Sequence, residues 1–152
     1  MAFDVGPTLA TQADVAHLLD RHFELMRSQS PPESCHVLPS EALSADDIHL
    51  FVLRENGQAL AIGAIRTMGD WGELKSMHTA SEARGRGAGR TMLAALIDAA
   101  TGLGLHQLKL ETGSGPEHAA ARALYLSAGF AECPPFGDYT EDPLSVFMQR
   151  TI

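Results

Sequence analysis

The sequence predicts a mixed α/β (α+β) fold: a mostly antiparallel central sheet of six to seven strands, about four flanking helices and one parallel crossover. Three observations carry this. Asn56-Gly57 separates two apolar runs at 48–53 and 60–68, and both central positions of a type I′ hairpin turn need the positive φ these residues tolerate. A strand–helix–strand pattern spans residues 73–111, which calls for one right-handed parallel connection. Apolar residues recur at helical spacing after residues 11, 87 and 116.

Residues 3–9 read as a short first strand, interrupted by Gly6-Pro7. Thr11-x-x-Asp14 is a capping-box variant, and Val15, Leu18, Leu19, Phe23 and Met26 form the stripe of the first helix. It stops before Ser30-Pro31-Pro32, because a proline disfavours helical geometry in the residue before it. Residues 30–46 read as irregular chain with one short helical turn. The hairpin strands come next, and residues 73–79 form a further strand after the break at Gly69 to Gly72.

A helix over residues 87–100 buries Leu93, Leu96, Ile97 and Ala100, and Gly102 and Gly104 end it. Residues 105–111 return as a strand with Leu108 and Leu110 on one face. Pro116 opens a last helix, on which Ala120, Ala121, Leu124, Tyr125 and Ala128 share a face, capped by Gly129. Residues 144–150 close the sheet. At 152 residues the chain fits a single domain over 1–152.

Composition narrows the function. A net charge of -8 disfavours nucleic acid, which needs a broad basic face. No apolar run is long enough to span a membrane, and the start Met1-Ala2-Phe3-Asp4 has neither basic region nor apolar core, so a cytoplasmic location is expected. Cys35 and Cys133 form no C-x-x-C, and the seven histidines form no H-x-x-x-H pair, so no metal is expected. Neither cysteine shows signs of activation.

Against that acidic background, Arg84, Arg86 and Arg90 are threaded through Gly85, Gly87 and Gly89 just before a helix. Glycines let backbone N–H groups approach an anion, and the helix dipole favours negative charge there. Arg84 and Arg90 stand where a Walker loop needs glycine and lysine, and Arg90 stands where a dinucleotide fingerprint needs glycine. What remains, Arg84-x-x-Gly87-x-Gly89, resembles the pyrophosphate loop of the GNAT family of acyl-CoA N-acyltransferases. Ala121-x-x-Leu124-Tyr125-x-x-x-Gly129-Phe130 resembles the second GNAT signature, in the right order and on the right element. The resemblance covers residues 73–130. Residues 30–34 and 135–139 are similar to a subgroup of small bacterial acetyltransferases whose acceptors are mostly unassigned. One departure is His118, where family members often carry asparagine.

The resemblance implies the GNAT fold and an acetyl-CoA-dependent N-acetyltransferase that moves the acetyl group to a small primary amine by direct attack on the thioester. A peptide or protein N-terminus as acceptor, and a non-catalytic acyl-CoA-binding sensor module, are the alternatives. Acetyl-CoA would be held by the N–H groups of Gly85, Arg86, Gly87, Ala88, Gly89 and Arg90, with charge from Arg84, Arg86 or Arg90. The strand edge at Met77, His78 and Thr79 would hold the pantetheine arm, and His118 would add one hydrogen bond. The Met77 N–H would polarise the thioester carbonyl. Glu73 would be the general base, through a water, its alternative reading being a carboxylate paired with Lys75. Tyr125 would give the departing thiolate its proton, or else pack helix to sheet. His78 is either a second base or a structural histidine at the surface, and Arg122 is either a solvated helix residue, the reading preferred, or a phosphate neighbour. The acceptor pocket would draw on Glu33, His36, Phe136, Asp138 and Tyr139, with Glu141 and Asp142 nearby, while Arg27 and Arg66 leave room for an acceptor bearing a carboxylate. No metal, membrane or nucleic-acid partner is implied, and the protein would act as a monomer or homodimer.

Overall fold

Strand and helix periods divide the chain into β1 (Asp4–Pro7), α1 (Ala13–Gln29), β2 (Ile48–Glu55), β3 (Gln58–Met68), β4 (Trp71–Thr79), α2 (Ala88–Gly102), β5 (Gln107–Gly113), α3 (Ala119–Ser127), β6 (Ala131–Glu132) and β7 (Ser145–Thr151). The computed structural model describes residues 2–152, apart from the Ser40 side chain. Met1, the first residue of the start read above, lies outside the described residues. The strands form one sheet in the order β1-β2-β3-β4-β5-β7-β6. Every neighbouring pair is antiparallel except β4 and β5, which run parallel because α2 carries the chain back along the sheet.

Alternation along the strands splits the core in two. Leu53, Ala61, Ile65, Leu74, Leu108 and Leu110 pack against α2 (Met92, Leu93, Leu96, Ala100) and Tyr125 of α3. Leu50, Val52, Ile62 and Ala64 pack against Val15, Leu18 and Leu19 of α1. The hairpin turn is as expected, with φ of 52° at Asn56 and 81° at Gly57. Among the described residues no helix is long and apolar enough to cross a membrane.

Several local expectations are corrected. There are three α-helices among the described residues, not about four. Pro31, Pro32 and Pro39 limit the stretch after α1 to 3-10 turns at Pro32–Ser34 and Ser40–Ser44. The capping box does not form: Gln12 takes the N-cap position without a side-chain bond, and Asp14 pairs with Arg54 instead. Pro116 begins a separate 3-10 turn, so α3 starts at Ala119.

Two features of β4 make room for a site. First, it pairs with β5 only from Trp71 to Glu73, against Gln107 to Lys109, and the strands part beyond that. Second, the register with β3 slips so that Ser76 and Met77 stand opposite Gly63 without partners of their own, and Ser76 has φ of 56°. This is a β-bulge with a non-glycine residue in the left-handed region, a conformation found mostly where a fold needs to re-aim the backbone. Gly63 permits it. A Cβ there would lie 2.8 Å from Leu96 Cδ1 and 3.0 Å from Met77 Sδ.

Candidate active site

The parting of β4 and β5 opens a cavity of about 560 Å³, within the size range of small-molecule sites. One end is the Arg/Gly loop, represented by Arg84, Gly85, Gly87, Ala88 and Gly89. The middle is the β4 stretch from Glu73 to Thr79, facing Leu110 to Gly113 of β5, with Tyr125 and His118 along the side. The other wall is α1 and the chain after it, including His22, Gln29, Cys35 and His36.

The loop end suits a phosphate. Gly85 and Gly87 have φ of 78° and 83°, and nothing lies within 4 Å of where their Cβ atoms would be. Gly87 is the N-cap of α2 and no side chain caps it, which leaves the first N–H groups of the helix available to an anion. Arg84 lines this end, its Nε donating to Thr79 O at 3.4 Å. Arg86 and Arg90 do not line the cavity. Arg86 instead holds Glu55 with Nη2–O distances of 2.8 and 2.6 Å and lies over the Phe3 ring. That carboxylate is 31 residues away in sequence, so local reading gives no sign of the pair.

At the far end two carboxylates meet. Glu73 is only 5% exposed. Its Oε2 accepts from Tyr139 Oη at 2.5 Å and from Lys75 Nζ at 3.3 Å. Lys75 also donates to His36 O at 3.3 Å and to Tyr139 Oη at 3.0 Å, tying both loops to β4. Across the gap stands Glu111, whose carboxyl is pushed up chiefly by burial and slightly by the charge of Glu73, while the Ser145 hydroxyl first, then His36 and Lys75, pull it down. Sequence reading passed over Glu111. Its signal was there, since Leu108 and Leu110 of β5 face the core and Glu111 must therefore face the other way, at the strand end beside the gap. Burial, with help from the Glu73 and Glu111 charges, raises the Tyr139 phenol far above its usual range, so it stays a donor to Glu73.

Tyr125 lines the cavity from α3, packed against Phe130 with ring centroids 5.9 Å apart. Burial pushes its phenol up to about 12, with a further push from Glu111. His78 lines the cavity too, but burial pulls its imidazole down to about 4, and Arg84 and Arg21 add to that. His118 sits over Gly113, where a Cβ would come within 2.1 Å of its ring. Arg122 is not the solvated residue expected. Its Nη1 donates to Gly113 O at 2.7 Å and Gly115 O at 2.8 Å, clamping the turn that follows β5.

Of the expected acceptor residues, His36 lines the cavity and Tyr139 touches Glu73, with their rings edge to face at 4.9 Å. Phe136 is buried among Trp71, Tyr139 and Phe147. Glu33 and Asp138 are exposed and lie outside the cavity. Arg66 is engaged with Asp47, and Arg27 lies over the Phe23 ring beside a smaller side pocket. Asp142 instead accepts from Ser34 Oγ at 2.5 Å, joining the two loops that cover this end.

Comparison with known proteins agrees with this layout. The acetyltransferase (GNAT) family profile matches residues 13–130. The uncharacterized N-acetyltransferase YedL of Escherichia coli is 40% identical over 144 residues, 94% of this chain and 88% of that protein. The uncharacterized N-acetyltransferase YsnE of Bacillus subtilis is 38% identical over 93% of this chain and 95% of its own length. A Klebsiella pneumoniae protein solved as a candidate acyl-CoA N-acyltransferase superposes with a TM-score of 0.79 at 30% identity, covering 98% of this chain and 97% of that one. A split parallel pair, a glycine-lined helix start and a tyrosine-bearing helix beside them thus have one common origin: this chain belongs to the GNAT family of N-acetyltransferases.

Proposed function

We propose that the protein transfers the acetyl group of acetyl-CoA to a small primary amine by direct attack on the thioester. The observation that carries this is the continuity of the cavity, which runs from the Arg/Gly loop, past Met77 and Tyr125, to Glu73 and Glu111. A ligand held by its diphosphate at one end has its reactive group delivered to two carboxylates at the other. Those carboxylates attract an ammonium and then relieve it of its proton.

In this reading the diphosphate rests on Gly85, Gly87, Ala88 and Gly89 with Arg84 beside it, and the pantetheine arm pairs with the open edge of β4 at Met77, His78 and Thr79. His118 faces the same arm. The bulge turns the Met77 N–H toward the thioester carbonyl, where it stabilises the developing oxyanion. Glu73 takes the proton of the acceptor ammonium through a water, with Glu111 as the second carboxylate of the pair. The amine nitrogen then bonds to the carbonyl carbon and passes its surplus proton to water, the C–S bond breaks, and the thiolate leaves. Tyr125 supplies the hydrogen bond that receives it. A phenol near 12 yields its proton reluctantly to a thiolate whose conjugate acid is near 8.5, so its main contribution is that bond, the proton following as sulfur departs. Tyr125→Phe is accordingly expected to lower kcat by about 10- to 100-fold with little change in the KM for acetyl-CoA, read from steady-state thiol release. Full activity in that variant leaves Tyr125 a packing residue.

Calorimetry with acetyl-CoA, followed by thiol release across a panel of small amines, tests the assignment. Saturable binding and turnover on at least one amine are expected. No heat of association overturns it, and binding without turnover on any amine or peptide turns the protein into a sensor.

A further inference from the structure

Acid partners are plentiful in this chain, with 19 Asp and Glu against 11 Lys and Arg. Arg21, Arg54, Arg66 and Arg86 each hold one, respectively Glu82, Asp14, Asp47 and Glu55. Arg84 and Arg27 line cavities and hold none among the described residues. Arg84 stands at the Arg/Gly-loop end. Arg27 lines a side pocket of about 130 Å³ with Phe23, Ser30, Pro32, Cys35 and Val37. It sits in the last turn of α1, where the helix dipole favours a cation, with its Cζ 5.5 Å from the Phe23 ring centroid. Neither interaction occupies its N–H groups, and no described residue accepts from them. A guanidinium with a free planar fork of donors is matched by a carboxylate.

The side pocket belongs to the acceptor end of the site. Ser30, Cys35 and Val37 line both it and the main cavity. Next to Cys35 is His36, whose carbonyl accepts from Lys75 Nζ at 3.3 Å and whose imidazole draws the Glu111 carboxyl down. Lys75 in turn reaches Glu73. An ammonium held between the two carboxylates therefore has a free cation beyond His36 and Cys35. Cys35 is extended, and two residues of extended chain cover about 7 Å. An α-amino acid, with one carbon between its charges, is too short for that reach. Phe23, Pro32 and Val37 are the apolar lining that a methylene spacer needs. One guanidinium balances one negative charge, which suits a carboxylate better than a phosphate.

We propose that Arg27 determines acceptor specificity by binding a carboxylate at the far end of the acceptor, whose amine lies at Glu73 and Glu111. The acceptor class is then ω-amino carboxylates, their spacer lying across the border between the two cavities. The word acceptor here rests on the transferase reading above; the carboxylate site itself does not.

Pentylamine and 5-aminopentanoate match in chain length and in ammonium basicity, and differ by the carboxylate. In turnover with acetyl-CoA, kcat/KM is expected to favour 5-aminopentanoate by about 10-fold, the low end for hydrogen bonds to a charged group because Arg27 is exposed. Arg27→Gln is expected to bring the two amines level and Arg27→Lys to restore part of the preference, with the KM for acetyl-CoA unchanged in both. Equal turnover by the native protein, or a preference that survives Arg27→Gln, overturns the site. So does an Arg27→Gln protein that loses both amines equally, for Arg27 is then structural.

Binding is read separately on the unaltered full-length protein saturated with coenzyme A. There 5-aminopentanoate is expected to slow alkylation of Cys35 by iodoacetamide saturably, and pentylamine at the same concentration is not; peptide mapping separates Cys35 from Cys133. Absence of protection overturns the site. Protection by 5-aminopentanoate with neither amine acetylated leaves the carboxylate site standing, and the transferase reading falls.

Discussion

Glu73→Gln is expected to lower kcat for acetyl transfer by about 10²–10³-fold, the range a positioned general base supplies, with acetyl-CoA affinity unchanged within about twofold. The glutamine keeps the shape and can still accept from Tyr139 Oη, which lies 2.5 Å from Glu73 Oε2 in the native site. What it cannot do is take a proton. Acetyl-CoA affinity should hold because the Arg/Gly loop lies at the opposite end of the cavity. Glu111→Gln separates the two carboxylates. The Glu111 carboxyl is held above the ordinary carboxylate range by burial, so a base at that position loses activity as pH falls through a correspondingly high value. If the acid limb of the kcat/KM profile lies there, survives Glu73→Gln and vanishes in Glu111→Gln, the proton goes to Glu111 and Glu73 is its electrostatic partner. A Glu73→Gln protein with both the native rate and the native pH profile removes Glu73 from the mechanism.

The sheet was legible because its signals are local. Asn56-Gly57 sets a turn through backbone φ alone, and the alternation of Leu50, Val52 and Leu53 sorts residues to the two faces without reference to the rest of the chain. The same holds for Arg84-x-x-Gly87-x-Gly89, where conformational freedom and charge are written into adjacent residues. The two-residue β6 carries no period of its own and exists only because β7 pairs with it. The acceptor end is built from long-range pairs: Tyr139 with Glu73 is 66 residues apart, Lys75 with His36 O is 39, and Ser34 with Asp142 is 108. Composition suggested acidic loops over this end, yet Glu33 and Asp138 face water and the two carboxylates that face each other there, Glu73 and Glu111, come from strands. Loop acids are solvated at no cost, whereas a strand acid facing a gap must be buried and paired. That difference is invisible until the two strands are seen to part.

Lys75→Met is expected to be the most destabilising change in the site, by about 3 kcal/mol, since it strands a buried carboxylate without its cation. The side chains involved are 10% and 6% exposed for Lys75 and Glu73, so solvent screens little of the loss. Three hydrogen bonds go with it, including those that hold the two covering loops to β4. The loss has a pH signature. Lys75 pulls the Glu111 carboxyl down while Glu73 pushes it up, so removing the ammonium lets Glu111 rise further. A carboxyl raised in the folded protein keeps a proton that the unfolded chain gives up, so stability is lost as pH rises from the unfolded carboxylate value through the folded one. The gap in urea midpoint between native and Lys75→Met proteins should therefore be wider at pH 8 than at pH 5. Lys75→Arg, which restores the charge, should narrow it at both. A gap that is the same at both pH values makes Lys75 a packing residue and leaves the carboxylate pair uncoupled from it.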